Sequence, residues 1–354
     1  MERKSRQINL GGVKVGGGAP VTVQSMTKTD TRDVPSTVEQ IKSLERSGCD
    51  IVRLAVPDME AARALGKIKK QTKIPIVSDI HFDYRLALEA VKQGVDGMRI
   101  NPGNIGAKYR IKAVVDAVRE KGIPIRIGVN SGSLEKDILK KHGSPTAEAL
   151  AESALRHASI LEDLDFGDTK ISVKSTDVRK MIAAYRILAE KTDYPLHLGV
   201  TEAGTYEMGT IKSTVGIGTL LADGIGDTIR VSLTGDPVAE VAVGINILRS
   251  LGLRKHGIEL ISCPGCGRLE INLMKLVKDV EDKLADIELP RPIKVAILGC
   301  VVNGPGEASE ADIGIAGGRG KGILYKEGKL VRSFKECDLV EELVKELETF
   351  SEPR

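Results

Sequence analysis

Between residues 20 and 233 two kinds of segment alternate with a regularity that few folds can accommodate. Eight short β-branched runs recur: VTVQS (21–25), DIVRLAV (50–56), IPIVSDI (74–80), DGMRIN (96–101), IPIRIGVN (123–130), KISVK (170–174), YPLHLGV (194–200) and DTIRVSL (227–233). Each is short and apolar enough to be a strand buried on both faces. The stretches between them, such as 36–48 and 83–95, carry apolar residues at helical spacing. Ser36 with Glu39 reads as a capping box for the first helix, and Gly48 as its stop. Strand–helix alternation implies parallel pairing through right-handed crossovers. Eight units in about 250 residues predict an α/β chain with a (β/α)₈ TIM barrel. An open doubly wound sheet is the competing arrangement. It lacks support, because no glycine-rich dinucleotide fingerprint follows the first strand; GGVKVGGG (11–18) precedes that strand and reads as a hairpin turn.

The carboxyl ends of barrel strands face the active site. Here they carry Gln24, Ser25, Arg53, Asp79, His81, Arg99, Asn101, Asn130, Lys174, Glu202, Arg230 and Ser232, with Arg126 deeper in its strand. An arginine in a doubly buried strand is costly without a partner charge. For one arginine, an internal ion pair with Asp79 or Glu202 would be explanation enough. Four arginines and Lys174 converging on one mouth point instead to a highly anionic guest. Guanidinium groups match phosphate oxygens two at a time, and so much converging charge favours a diphosphate. The absence of a Walker loop disfavours a nucleoside triphosphate.

Helical patterning after Pro237 closes the barrel, and the boundary is expected near residue 258: a substrate-binding barrel over 1–257 and a second α+β domain over 258–354. The second domain reads as helix (269–286), strand (293–299), strand (312–317), a hairpin (322–334) turning at Glu327-Gly328, and helix (338–349). It holds CPGCGR (263–268) and CVVNGPGEA (300–308). Cys263 and Cys266 have the C-x₂-C spacing that sets two thiolates on one metal or cluster edge. The glycines around Asn303 to Gly306 permit positive φ, so amides can turn towards sulfur. Alone, the C-x₂-C pair would suit structural zinc; with Cys300 and its glycine-rich loop, an iron–sulfur cluster is the better reading. Cys337 reads as a half-buried free thiol at a helix start, and Cys49 as packing. Glu307 is either an oxygen-donor fourth ligand, weakly held by a soft iron and exchangeable, or an acid in a loop ion pair.

Composition removes several function classes. A net charge of +3, no Trp, four Phe and six Tyr leave neither a basic face nor stacking platforms for nucleic acid. MERKSRQINLGGVKV is no signal peptide, and no run of about 18 uncharged apolar residues predicts a membrane span. Five cysteines, an odd number, fit a reducing cytoplasm.

CPGCGR and GCVVNGPGEA (299–308) together resemble the signature of the bacterial 4-hydroxy-3-methylbut-2-enyl diphosphate synthase family. VQSMTKTDTRD (23–33), DIVRLAVP (50–57), SDIHFDYRLA (78–87), RINPGNIG (99–106), RIGVNSGSL (126–134), VKSTDV (173–178) and GVTEAG (199–204) extend the resemblance over the chain, with no departure at their polar positions. The length matches the two-domain form without the middle domain of plant-type members. The resemblance implies a TIM barrel joined to a [4Fe–4S] domain, in a homodimer where each cluster domain covers the partner's barrel. It implies reductive opening of 2-C-methyl-D-erythritol 2,4-cyclodiphosphate in the methylerythritol phosphate pathway, with two electrons delivered singly by ferredoxin or flavodoxin. By motif match Cys263, Cys266, Cys300 and Glu307 would be the cluster ligands. Arg53, Arg99, Arg126, Lys174, Arg230 and Ser232 would hold the diphosphate, with Asn101 and Asn130 orienting it. Glu202, with Asp79 and His81 nearby, would supply the proton. Two other classes compete: a pterin-binding transferase barrel with a zinc-stapled appendage, and a non-enzymatic iron-sensing protein.

Overall fold

A computed structural model describes residues 3–254, 258–269, 271–284, 293–300, 311–318 and 320–351. The chain divides into two compact units, Met1–Arg254 and Lys255–Arg354.

The first unit opens with an antiparallel hairpin, β1 (Gln7–Leu10) and β2 (Val13–Gly16). Gly11 and Gly12, both at positive φ, form its turn, so the expected hairpin turn covers only the start of 11–18 and Val13–Gly16 is a strand. Ile8, Leu10 and Val15 of the hairpin pack against Ile51 and Val77, near the starts of two barrel strands, and so cover the amino-terminal end of the barrel. The opposite end is left for chemistry.

Eight parallel strands follow: β3 (Thr22–Met26), β4 (Ile51–Ala55), β5 (Ile76–Asp79), β6 (Gly97–Ile100), β7 (Ile125–Asn130), β8 (Thr169–Lys174), β9 (His197–Leu198) and β10 (Thr228–Ile229). They pair in chain order, β10 returns to β3, and a bridge between Ile171 and Leu196 joins β8 to β9. This is the (β/α)₈ barrel expected from the alternation. β9 and β10 are two residues each, much shorter than the runs at 194–200 and 227–233 suggested.

Every strand divides its side chains by period two. Val52, Leu54, Ile76, Met98, Ile100, Ile125, Ile127, Val129, Ile171 and Val173 face outward into the main core, shared with the helices. Arg53, Asp79, Arg99, Arg126, Lys170, Ser172 and Lys174 are the alternate residues, and all are buried. A purely apolar strand reading therefore holds for one face only. At roughly 25 cal/mol per Å² of apolar burial, the outer layer supplies the stability that lets the inner one be polar.

The first helix, Val34–Arg46, starts one turn earlier than the capping-box pattern suggested: Asp33 is the N-cap, accepting from Ser36 N, and Pro35 sits in the first turn. Proline is suited there because its missing N–H would be unbonded anyway.

The second unit is a five-stranded mixed sheet in the order β11 (Ile258–Ser262), β12 (Ile293–Leu298), β13 (Ile313–Gly318), β14 (Lys321–Lys326), β15 (Lys329–Lys335). β11, β12 and β13 are parallel, and β14 and β15 complete an antiparallel meander. The strand at 258–262 was not foreseen; Ile258, Leu260 and Ile261 are only partly buried and Glu259 and Ser262 are exposed, so its alternation is weak. Leu273, Leu276 and Val280 of one helix and Leu339, Leu343 and Leu347 of another cover one sheet face with Ile293, Val295, Ile297, Ile313 and Ile315. Glu327 and Gly328, both at positive φ, make the predicted two-residue turn between β14 and β15.

Candidate active site

The inward residues of the barrel stand side by side because the register puts them there. Asp79 is the neighbour of Arg99, Arg99 of Arg126, and Arg126 of Lys170 on successive strands. Three cations in a row would repel one another unless something anionic lay across them.

Protein carboxylates supply part of that balance. Asp79 meets Arg99 at 3.0 Å and Arg53 at 3.8 Å. His81, half exposed at the mouth, is 3.6 Å from the same carboxylate and within 2.9 Å of Arg99 Nη1. Burial pushes the Asp79 carboxyl up, but Arg53, His81, Arg99 and Arg126 together outweigh it and hold it well below the ordinary range. An acid held so firmly as an anion orders guanidinium groups better than it donates a proton.

Glu240 is the second buried carboxylate, and sequence reasoning missed it. It lies on the helix Pro237–Ser250 outside the strand ends, where its apolar surroundings give it the look of a solvent-facing acid. It accepts from Leu233 N at 3.0 Å and Ser25 Oγ at 3.3 Å, pairs with Lys28 at 3.2 Å, and stands 3.9 Å from Arg230. Gln24 accepts from Arg126 Nη1 at 3.4 Å.

Against Asp79 and Glu240 stand the cations Arg53, Arg99, Arg126, Lys170, Lys174 and Arg230, so the barrel interior carries a cationic excess. Nε of Arg99, Arg126 and Arg230 and Nζ of Lys170 and Lys174 are buried without a hydrogen-bond partner among the described residues. Burial, then Arg230 and the other arginines, drives Lys174 well below its usual range; burial, Arg126 and Arg53 bring Lys170 down to about 7. Lys170 was also missed, lying four residues before the strand end at Lys174. Donors without acceptors in a low-dielectric interior are what an anion would satisfy.

Of the remaining candidates, Asn101 is buried and caps the short helix Pro102–Ile105, its side-chain oxygen accepting from Gly103 N at 3.1 Å. Asn130 ends β7, next to Lys174 in register. Ser232 follows β10 and is partly buried. Glu202 is exposed on the turn after β9, with φ +50. A surface cavity of about 650 Å³ between outer helices is lined by His142, Glu152 and Arg156 and shares no residue with the mouth.

In the second unit, parallel pairing sets two cysteines at neighbouring strand ends. Cys263 follows β11 and its N–H donates to Ile297 O on β12 at 3.0 Å; Cys300 lies just past β12. Gly265, at φ +81, turns its N–H to Cys263 Sγ at 3.4 Å. Leu269, whose N–H donates to Cys266 O, lies where a side chain on Gly299 would be: a Cβ there would be 2.1 Å from Leu269 Cδ2. Gly299 thus lets the C-x₂-C turn close over the end of β12. All five cysteines are free thiols. Cys49 is buried as expected, whereas Cys337 is exposed instead of half-buried, because it lies in the 3₁₀ turn Glu336–Asp338, none of whose residues is buried. Glu307, with Asn303 to Gly306, lies outside the described residues. Among the described residues no three His, Cys, Asp or Glu side chains gather closely enough to hold a metal ion. The donors nonetheless suit a soft cluster: thiols at adjacent strand ends, an amide aimed at sulfur, and a glycine that brings their loops together.

A TIM barrel with a cationic interior, followed in the chain by a thiol-bearing α/β unit, defines the class. Residues 5–245 match the GcpE TIM-barrel domain, and residues 259–349 match the GcpE protein C-terminal domain. The chain belongs to the GcpE family. It is 58% identical over 345 residues to the 4-hydroxy-3-methylbut-2-en-1-yl diphosphate synthase (flavodoxin) of Thermodesulfovibrio yellowstonii, covering 98% of both chains. With the protein of the same name from Clostridium perfringens it shares 61% over 350 residues, covering 99% of this chain and 100% of that one. The family expected from the motifs is thereby borne out, and the pterin-binding alternative is set aside. Among solved structures, 3-dehydroquinate dehydratase of Geobacillus kaustophilus matches 71% of this chain and 99% of its own, with TM-score 0.50 and 14% identity; that likeness concerns the barrel fold alone.

Proposed function

We propose that the chain makes 4-hydroxy-3-methylbut-2-enyl diphosphate by reductive opening of 2-C-methyl-D-erythritol 2,4-cyclodiphosphate, as an oxidoreductase of isoprenoid biosynthesis. The observation that carries the substrate assignment is the row of inward cations in a closed barrel, with donors that have no partner among the described residues. In this reading Arg53, Arg99, Arg126, Lys174 and Arg230 take the phosphate oxygens, and Ser232, Asn101 and Asn130 fix the orientation of the ring. The fixed guanidinium array favours the state in which the ring has opened and negative charge has grown on the diphosphate. Asp79 holds Arg53 and Arg99 in place. His81, hydrogen-bonded to Arg99 and open to solvent, and Glu202, exposed on its turn, are the groups from which the departing hydroxyl takes its proton, leaving as water.

The electrons require a redox centre. Cys263, Cys266 and Cys300 would hold a [4Fe–4S] cluster, with Glu307 as the fourth ligand, and the barrel (1–257) and cluster domain (258–354) divide binding from electron supply. When bound, such a cluster supplies two electrons one at a time. Flavodoxin, named in the relatives, or ferredoxin is the donor partner. A homodimer, each cluster domain capping the partner's barrel, would exclude water from the mouth. Met208, Ile211 and Val215 give the helix Tyr206–Ala222 one exposed apolar face, which a second copy could cover. No helix among the described residues is long and apolar enough to cross a membrane, and five free thiols support a reducing cytoplasm.

The deciding experiment is anaerobic iron and sulfide analysis with a reduced-state paramagnetic resonance spectrum, alongside turnover of the cyclic diphosphate. Four irons and four sulfides per chain, a spectrum altered by substrate, and turnover are expected. Zinc in the thiol site with no turnover would overturn the reading. Glu307→Ala should keep most of the iron, since three thiolates remain, and lose most turnover; full retention of both would remove Glu307 from the ligand set.

A further inference from the structure

We infer that Lys28 is a positioning residue for the diphosphate site, neutralising the buried Glu240 so that the Arg230 guanidinium is left free for substrate. The inference rests on the assignment of Arg230 to diphosphate binding made above.

Glu240 Oε2 lies 3.9 Å from Arg230 Nη2, and an unneutralised buried carboxylate would claim that guanidinium for itself. The geometry shows it already occupied. Its Oε1 accepts from Leu233 N at 3.0 Å and meets Lys28 Nζ at 3.2 Å; its Oε2 accepts from Ser25 Oγ at 3.3 Å. Arg230 Nη2 is the most distant of the four donors, at 3.9 Å, and Arg230 Nε is buried with no partner among the described residues. Lys28 has a second duty. Its ammonium donates to Leu233 O at 2.9 Å and to Gly235 O, so it ties down the segment that leaves β10. That segment carries both Arg230 and Ser232. One half-exposed lysine from the loop after β3 therefore decides the charge beneath one phosphate ligand and the backbone path of another.

Removing the Lys28 charge has three consequences of one sign. A cation near the mouth is lost, the segment 233–235 loosens, and Glu240 turns to Arg230 for its counter-charge. All weaken anion binding.

The test measures inorganic pyrophosphate binding by calorimetry on the anaerobic holoenzyme, with KM and kcat for the cyclic diphosphate. Lys28→Met should weaken pyrophosphate binding about five- to twenty-fold and raise KM by a like factor, with kcat within about two-fold, as expected when uniform binding is lost. Lys28→Arg should restore affinity to within about two-fold. Lys28→Met combined with Glu240→Gln should recover several-fold of the loss, because the competing carboxylate has gone. Lys28→Gln, which can still donate to the Leu233 and Gly235 carbonyls, is the second variant should Lys28→Met fold poorly, and it too should bind pyrophosphate several-fold more weakly. Wild-type affinity in Lys28→Met and Lys28→Gln, while Arg230→Ala binds weakly, would overturn the inference and leave the substrate assignment standing. A double variant no better than Lys28→Met would also overturn it. Unchanged affinity in Arg230→Ala would overturn the substrate assignment itself, and the role of Lys28 with it.

Discussion

The guanidinium of Arg99 occupies the space that a side chain on Gly128 would need. A Cβ at Gly128 would stand 2.4 Å from Arg99 Nε, and Arg99 Nη2 donates to Gly128 O at 3.2 Å. A Cβ on Gly199 would stand 2.5 Å from Arg230 O and 3.0 Å from Lys174 Nζ, so this glycine admits both the neighbouring backbone and the lysine. Inward glycines thus make room for inward cations. Gly128→Ala should push Arg99 off Asp79 and lower diphosphate affinity by about ten-fold with the barrel still folded. Calorimetry with pyrophosphate, paired with a circular dichroism spectrum, checks this; undiminished affinity would show that Arg99 has room elsewhere.

Asp79→Asn leaves Arg53 and Arg99 without their shared carboxylate. Breaking a buried pair by removing one partner costs about 3–5 kcal/mol, so the melting temperature should fall by several degrees in the absence of added anions. The sign with pH follows from the depressed carboxyl. Its stabilisation is present above the unfolded value of about 4 and is lost as pH falls through the lower folded value. Wild type should therefore lose stability more steeply than Asp79→Asn on acidification below about pH 4, in urea titrations run across that range. Parallel curves would count against the pairing.

Lys170, brought down to about 7, should take up a proton when an anion arrives. A lowered base binds fewer protons folded than unfolded, so without anion the protein should gain stability from about pH 7 towards 10. Pyrophosphate raises the lysine's proton affinity, so its binding should strengthen as pH falls from 9 to 7. Calorimetry in buffers of different ionisation enthalpy measures the uptake. Lys170→Met should show measurably less uptake than wild type at pH 8; equal uptake would assign the proton to another group.

The thiols divide into two groups. Cys263→Ser and Cys300→Ser should lose iron, sulfide and turnover together. Cys337→Ser, exposed in its 3₁₀ turn, should retain all three. Iron loss in Cys337→Ser would place a fourth thiol at the cluster.

Gly299→Ala should separate the two cysteine loops, since its methyl would collide with Leu269 Cδ2. Lower iron retention on brief exposure to air, with an unaltered melting curve for the barrel, is the expected result. Wild-type retention would mean that Leu269 moves aside freely.

Local signals carried the sequence a long way. Eight β-branched runs separated by helical patterning specify a closed barrel, because periodicity and turn chemistry act over a few residues. The C-x₂-C spacing and the Glu327-Gly328 turn are likewise short-range statements, and the cations at the strand ends could be named from position alone. Tertiary structure decided what depends on register and on packing between distant segments. Only closure of the barrel sets Asp79, Arg99, Arg126 and Lys170 side by side. Only the fold brings Lys28 to Glu240 across more than two hundred residues, or shows that Gly128 and Gly199 are spaces for charge. The physical reason is that a buried charge is tolerated through its neighbours, and those neighbours are chosen by the folded chain rather than by adjacent sequence.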